Sequence, residues 1–417
     1  MLTVDQWLKH ISQIHEKTMD LGLARIKAVA ETLGLLPINV PVITVTGTNG
    51  KGSTVAALEQ IYLAAGYSVG VFTSPHLWRI NEEIRRNGVD VDDSALIAAF
   101  DEIEQARAEI SLTVFEFATL AALILFRAAQ LDVVILEVGL GGKTDAVNIV
   151  DADMAIITSI GIDHQAWLGD TRAEIAIEKA GIFRKNRPAI CGDSSPPLEL
   201  IEYSRQLPCP FYQINHEFNY QTRGAVWDWQ GAFTKLSDLP IPSIELSNAA
   251  SALMAVDLIQ SRLPVTAQAV KTGLAHVALP GRYQIIEKPV LQIFDVCHNP
   301  HAALKLADKL RENQAQFRHT HAVFSMLKDK DIAETAACLN EIVTGWHIAP
   351  LATERGAALA QLQTALTQAG VTRQAYYYST INDAHSQALN AAGARDRVVI
   401  FGSFHTVAAT LKPIVRS

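Results

Sequence analysis

The chain is poor in cysteine, in long apolar runs and in excess positive charge, and each shortage closes off a class of protein. Its four cysteines, Cys191, Cys209, Cys297 and Cys338, lie far apart and form no C-x-x-C pair. That excludes a zinc-knuckle signature and a disulfide framework, and suits a reducing compartment. Apolar runs such as FATLAALILF at 117–126 stop well short of the roughly 20 residues a membrane helix needs. The opening stretch, MLTVDQWLKHISQIHEK, has no basic start leading into an apolar run, so no signal peptide is read. The expectation is a cytoplasmic protein with no membrane partner. Lys and Arg number 35 against 43 Asp and Glu, a net charge of −8, which leaves no surplus of cations for a broad nucleic-acid surface. Local basic sites for nucleotides stay open.

What is present is ordinary globular material: 49% hydrophobic and 19% charged residues over 417 positions, enough for about two or three domains. PVITVTG (41–47) is a β-branched run entering a glycine turn. VAALEQIYLAAG (55–66) has helical spacing and a glycine stop, and SVGVFTS (68–74) reads as a strand again. This is a βαβ unit whose glycine loop faces a helix N-terminus. LDVVILEVGLGG (131–142) and ADMAIITSIGIDH (152–164) are too apolar for a half-exposed sheet, so buried parallel strands are expected. TRAEIAIEKAGIFR (171–184) reads as a helix with a Thr start. The aromatic segment 211–234 reads as antiparallel strands, and SNAASALMAVDLIQSRL (247–263) as a helix begun by Ser-Asn. After LPGR (279–282) a second alternation begins, with strands at 290–296, 320–326, 345–351, 374–379 and 397–403 between Ala-rich helices. The fold class is therefore α/β, with two domains, 1–280 and 281–417, and no internal repeat.

TGTNGKGS (46–53) carries the first chemistry. It follows a strand and opens a helix, as a phosphate loop does, but Gly52 separates Lys51 from Ser53, unlike the common G-x-x-x-x-G-K-[ST] pattern. Glycines let backbone N–H groups wrap phosphate oxygens, Lys51 can reach the β and γ phosphates, and a hydroxyl at Ser53 or Thr54 can hold Mg²⁺. Glu137 ends an apolar strand, where a bare carboxylate is costly; it is either a Mg²⁺ ligand or half of a salt bridge. Asp145 to Asn148, DAVN, either line a substrate loop or close a turn. His164 falls just past the next strand, although Mg²⁺ prefers oxygen ligands. Lys179 reads as a solvated helix lysine unless crowding neutralises it, when it could take up CO₂ as a carbamate. Asp295, at a strand end before CHNPHAA, either binds a ribose hydroxyl or caps a turn. Asn248 has a similar choice between a site and a helix start.

Read in order, TGTNGKGS, FTSPHL, LEVGLGG, SIGIDHQAWLG, EKAGIF, SNAASAL, LPGRY, DVCHNPHA and FGSFHT span nearly the whole chain. Together they resemble the folylpolyglutamate synthase family of the Mur-ligase fold, and DLGLARI (20–26) with SLTVFE (111–116) resemble its bacterial bifunctional branch. The resemblance implies an N-terminal P-loop ATPase domain with a parallel sheet and a smaller Rossmann-like C-terminal domain. It implies an ATP-dependent ligase, acting as a monomer, that adds L-glutamate to dihydropteroate and to tetrahydrofolates through an acyl phosphate. By the same resemblance Thr48, Asn49, Gly50, Lys51, Gly52, Ser53, Asn248, Arg282 and Asp295 would contact ATP. Ser53, Ser74, Glu137, His164 and a carbamylated Lys179 would hold Mg²⁺ at two sites. Asp20, Leu21, Gly22, Leu23, Thr113, Val114, Phe115, Glu116, Thr144, Asp145 and Ala146 would line the pteroate pocket. His298 and Ser403 would lie on the glutamate side, with Lys51, Lys179 and His298 as catalytic residues.

One departure stands out. The family often reads LGGR-[LF]-DATN where this chain reads LGGKTDAVN, so Lys143, Thr144 and Val147 alter the pterin side of the site. Arg and Lys are not interchangeable at a bidentate contact. A muramyl-peptide type of ligase would share the ATP loop but lack DLGL and LTVFE. Two further readings stay open at this point: a synthase without the dihydropteroate reaction, and a nucleotide-driven binding protein whose turnover ignores glutamate and folate.

Overall fold

The β-branched run Val42–Thr46 (β1) is buried at every position, so it must be covered on both faces. The structure, a computed structural model, describes residues 2–412 apart from 16, 18, 372 and 373. It divides into two compact units, Met1–Ala278 and Leu279–Ser417. Among the described residues no helix is long and apolar enough to cross a membrane.

In the first unit, α1 (Val4–Ile14) and α2 (Ala24–Thr32) precede β1. Then follow α3 (Lys51–Ala64), β2 (Val69–Phe72), β3 (Ile84–Arg86), β4 (Val89–Asp90), α4 (Asp93–Arg107) and α5 (Val114–Arg127). β5 (Val133–Glu137), β6 (Met154–Ile157), α6 (Gln165–Leu168), α7 (Arg172–Ala180), β7 (Ala189–Cys191), α8 (Leu198–Gln206) and β8 (Phe211–Gln213) complete the sheet. Its order is β4-β3-β2-β5-β1-β6-β7-β8. From β2 to β8 all neighbours are parallel. β1 is thus flanked by β5 and β6, with Val45 beside Glu137 and Thr46 beside Ile157. Three strand ends therefore release their loops side by side. α5 is apolar almost throughout and buried from Glu116 to Phe126, and its aromatic and aliphatic side chains fill the core with those of α1, α2 and α4. α3 packs instead against α9 (Leu246–Leu258) and α10 (Ala267–His276).

Three sequence expectations need correcting. β3 and β4 form an antiparallel edge hairpin that the strand reading missed. Its signal was present in Asn87-Gly88, where both φ angles are positive, 53° and 78°, as a tight hairpin turn requires. Phe211–Gln213 is not part of the antiparallel group but pairs parallel to β7, because α8 carries the chain across as in any βαβ unit. Only β9 (Asn219–Arg223), β10 (Val226–Gln230) and β11 (Lys235–Pro240) are antiparallel, in a separate sheet. Trp229 of β10 is buried and donates from Nε1 to the Ala250 carbonyl of α9 at 3.2 Å, which docks that sheet. Finally, Ser247 and Asn248 do not start α9. The helix begins at Leu246, after Glu245, with no side-chain cap.

The second unit orders its strands β12 (Gln284–Ile286), β13 (Leu291–Asp295), β17 (Arg397–Phe401), β14 (Thr320–Phe324), β15 (Gly345–Ile348) and β16 (Ala375–Tyr377). Only β12 is antiparallel to its neighbour. Asn299 caps helix Pro300–Glu312 by accepting from Ala302 N, with proline in the first turn and Lys309 and Arg311 in the last. That is the arrangement the helix dipole and the orphan N–H groups favour. β13 and β17 end together, Asp295 beside Phe401.

Candidate active site

The loop between β1 and α3 is shaped by contacts only glycine allows. A Cβ on Gly47 would lie 1.9 Å from Thr158 Oγ1, and one on Gly50 would lie 2.4 Å from Asn248 Oδ1. Gly50 also has a φ of 89°, which disfavours any side chain. Thr48 N donates to Ser159 O at 2.8 Å and Asn49 N to Ser159 Oγ at 3.0 Å. Thr158 Oγ1 donates to Asn49 O at 2.7 Å. The loop is therefore tied to the end of β6, and Asn248 of α9 abuts it. The first-turn N–H groups of α3 have no carbonyl one turn earlier to pair with, and the helix dipole adds positive potential there. Lys51 folds over the same loop, its Nζ donating to Gly47 O at 3.1 Å.

Glu137, at the end of β5, is 3% exposed. A Cβ on Gly52 would be 3.5 Å from its Oε2, and Ser74 N donates to the same oxygen at 3.4 Å. A buried carboxylate thus sits between the first turn of α3, which contains buried Ser53, and Ser74, the second residue after β2. These are hard oxygen donors of the kind Mg²⁺ takes.

Lys179 is not a solvated helix lysine. It is 3% exposed, and burial, followed by the like charge of Lys51, lowers its pKa to about 7. Its position follows from two close approaches: a Cβ on Gly142 would lie 2.7 Å from Lys179 O, and one on Gly181 2.4 Å from Lys143 Cα. Only glycines let the loop after β5 press against the end of α7 in this way. Asp145 in that loop is buried as well, and burial raises its carboxyl to about 7 against donations from Leu140 N and Val147 N. It caps the short turn of 3₁₀-helix Ala146–Ile149, so DAVN does close a turn.

His164 lies seven residues past the end of β6 rather than directly after it. It has a left-handed φ of 54°, uncommon for a residue with a side chain, and its backbone N donates to Asp163 Oδ1 at 2.8 Å. Among the described residues, no group of three His, Cys, Asp or Glu side chains forms a ready metal site.

Three further segments meet at one side. Gly22 N donates to Thr144 O at 3.1 Å, joining loop 20–23 to loop 144–146. Thr113 and Glu116 cap α5 reciprocally: Thr113 N donates to Glu116 Oε2 at 2.8 Å and Glu116 N to Thr113 Oγ1 at 3.2 Å. Half-buried Phe115 packs against Phe72, with ring centroids 5.7 Å apart, and close to Gly139, where a Cβ would come within 2.6 Å of the ring. Leu21, Leu23 and Val114 are half-buried beside these turns, and Ala146 is buried. Thr144 Oγ1 lies 3.4 Å from Glu178 Oε1, while the variant Lys143 is exposed. Arg25 joins Asp20 to Glu116, a residue that sequence reasoning missed although it stands inside the DLGLARI segment.

In the second unit, Asp295 accepts from Tyr283 N at 3.0 Å and Cys297 N at 2.8 Å. Burial raises its carboxyl while Arg282 opposes that. Arg282 lies over the Phe404 ring at 5.2 Å. His298 stands beside the same ring, at 6.2 Å, and its Nδ1 donates to Val296 O at 3.0 Å. Ser403 Oγ accepts from Thr406 N at 3.0 Å and caps the final helix. Arg282, Asp295, His298 and Ser403 thus gather where β13 and β17 end.

Residues 45–224 match the Mur ligase middle domain and residues 281–404 the Mur ligase glutamate ligase domain. The chain is 46% identical over 408 residues to the dihydrofolate synthase/folylpolyglutamate synthase of Escherichia coli, covering 98% of this chain and 94% of that protein. It is 42% identical to the protein of the same name from Haemophilus influenzae, covering 97% and 95%. Among solved structures it is similar to Escherichia coli FolC in complex with DHPP and ADP, with a TM-score of 0.93 and 45% identity over 98% of this chain and 96% of that one. It is also similar to a bifunctional folylpolyglutamate synthase/dihydrofolate synthase with Mn, AMPPNP and L-glutamate bound, with a TM-score of 0.91 and 44% identity over 98% and 97%.

Proposed function

The chain belongs to the dihydrofolate synthase/folylpolyglutamate synthase family of Mur ligases, and from that membership we propose that it joins L-glutamate to dihydropteroate and to the γ-carboxylate of reduced folates at the expense of ATP. The observation that carries the reading is the grouping of the glycine-inserted loop, Lys51 and buried Glu137 at the ends of β1 and β5.

A carboxylate is a poor electrophile. In the proposed reaction an oxygen of the acceptor carboxylate attacks the γ-phosphorus, the bond to the β-phosphate oxygen breaks, and ADP leaves. The amine of L-glutamate then attacks the acyl carbon, the carbon–oxygen bond to phosphate breaks, and the amine's surplus proton is lost. The products are an amide and inorganic phosphate.

The N–H groups of residues 50–53 would bind phosphate oxygens, and Lys51 would move from Gly47 O to the transferring phosphoryl group, offsetting charge that grows in the transition state. Asn248 would hold Gly50 in place and contact the nucleotide, with Thr48 and Asn49 anchoring the loop. Ser53, Ser74, Glu137 and His164 would hold the divalent cation, and Lys179 would join them as a carbamate, since an ammonium group cannot ligate. Mg²⁺, when bound, supplies Lewis-acid neutralisation of the phosphate charge. With its pKa brought to about 7, Lys179 has a substantial uncharged fraction at neutral pH, and the uncharged amine is the form that adds CO₂. Loops 20–23, 113–116 and 144–146 would hold the pteroate. In the second unit Arg282 and Asp295 would serve ATP, and His298 and Ser403 the incoming glutamate.

ADP release with Mg²⁺ and L-glutamate, compared between dihydropteroate and tetrahydrofolate, tests the proposal. Turnover with both is the expected result. Turnover with tetrahydrofolate alone would indicate that LGGKTDAVN has cost the first activity, and turnover with neither would overturn the assignment.

A further inference from the structure

Arg25 is the second residue of α2, a helix with no side-chain cap and no acidic residue in its first turn. A cation at a helix N-terminus opposes the dipole, so local preference does not explain it. Its partners do. Nη1 lies 2.7 Å from Asp20 Oδ2, and Nη2 donates to the Asp20 carbonyl at 2.7 Å and to Glu116 Oε1 at 3.2 Å. Glu116 is 3% exposed, and its other oxygen is taken by Thr113 N. One guanidinium therefore grips both the side chain and the backbone of loop 20–23, and also the capping carboxylate of α5.

The loop needs such a tether. A Cβ on Gly22 would have no heavy atom within 4 Å, so on that side the loop faces open space. Besides the Gly22–Thr144 bond, side chains around Asp20 hold it: Arg25, Lys17 at 3.6 Å and the His15 ring at 3.3 Å. His15 is itself tied to Ser111, Nδ1 to Oγ at 3.0 Å, just ahead of the α5 cap. Burial acts to raise the Asp20 carboxyl, yet its neighbours, Arg25 and then Lys17 foremost, bring it below its ordinary value, so the group is held ionised.

We propose that Arg25 is a positioning residue for the acceptor: by clamping loop 20–23 to the Thr113–Glu116 turn it sets the register of two of the three pteroate-binding segments. This rests on the pteroate reading of those segments. Lysine replaces it only in part, because a single ammonium lacks the planar fork that reaches Asp20 Oδ2, Asp20 O and Glu116 Oε1 at once.

The test is steady-state kinetics of the full chain, wild type, R25K and R25A, with dihydropteroate, ATP and L-glutamate varied in turn, and thermal melting of each. Wild-type turnover with dihydropteroate comes first, since its absence would sink the functional reading and not this inference alone. Given that turnover, KM for dihydropteroate is expected to rise about tenfold in R25A and less in R25K, while KM for ATP and for glutamate stays within about twofold. An unchanged dihydropteroate KM in both variants overturns the proposal. So does a rise in all three KM values together, which marks a general structural role. Should R25A fail to fold, R25K decides by the same comparison.

Discussion

At the scale of single residues, the phosphate loop gives the sharpest expectations. The Lys51 amine donates to the Gly47 carbonyl of the loop it serves, and the residue is half-buried at the start of α3. K51A is expected to lower ADP release by at least about 100-fold with an unchanged thermal midpoint; retained turnover in a folded variant would contradict the role given to that loop. Gly50 carries a different constraint. G50A forces a side chain onto a φ of 89° and into Asn248, and a cost of about 1–3 kcal/mol is expected in denaturant melts, with weaker nucleotide binding. The loop was legible because its glycines, lysine and hydroxyls are local in sequence. The condition of Lys179 was not. EKAGIF reads as a solvated helix end, whereas loop 141–145 presses on this end of α7 through Gly142 and Gly181 and Lys179 is buried. Arg25 escaped for the same reason: its partners are Asp20, close in sequence, and Glu116, far from it.

At the scale of elements, the strands were readable wherever they are mostly β-branched and apolar, as β1, β5, β6 and β17 are. The short, charged edge strands β3 and β4 were not, although Asn87-Gly88 announced their turn. What holds that edge is a tertiary ion pair. Arg85 of β3 donates to Glu59 of α3 from Nε at 3.0 Å and Nη2 at 2.9 Å, with both side chains buried. E59A leaves the guanidinium buried without its partner and is expected to destabilise the first unit by about 3–5 kcal/mol. A loss below about 1 kcal/mol in denaturant melts would mean that water reaches the pair. In the second unit buried His347 of β15 lies between two half-buried groups: His321 Nδ1 of β14 stands 3.3 Å from His347 Nε2, and His347 Nδ1 3.2 Å from the Tyr378 hydroxyl. Burial and then His321 lower His347 from 6.5 to about 4. The unfolded chain therefore binds the proton first. The contribution of this site is complete above about pH 6.5 and is lost as pH falls toward about 4. Urea melts of the wild type and H347Q across that range should show a shallower pH slope in the variant, and identical slopes would contradict the assignment.

At the scale of the whole molecule, the chain is two α/β units, and each brings its polar side chains to the carboxyl ends of parallel strands. That is where open sheets of this kind offer a crevice. The alternation of strands and helices made both units legible. The small β9–β11 sheet was half legible, because aromatic, turn-rich sequence announces antiparallel strands but not that Phe211–Gln213 leaves them for the main sheet. In the proposed reaction the acceptor carboxylate is activated by phosphoryl transfer before glutamate attacks. Dihydropteroate labelled with heavy oxygen in its carboxylate tests this most directly, by mass analysis of the inorganic phosphate released in a single turnover with ATP and L-glutamate. One carboxylate oxygen is expected in each phosphate. Phosphate free of label, formed along with dihydrofolate, would contradict that activation.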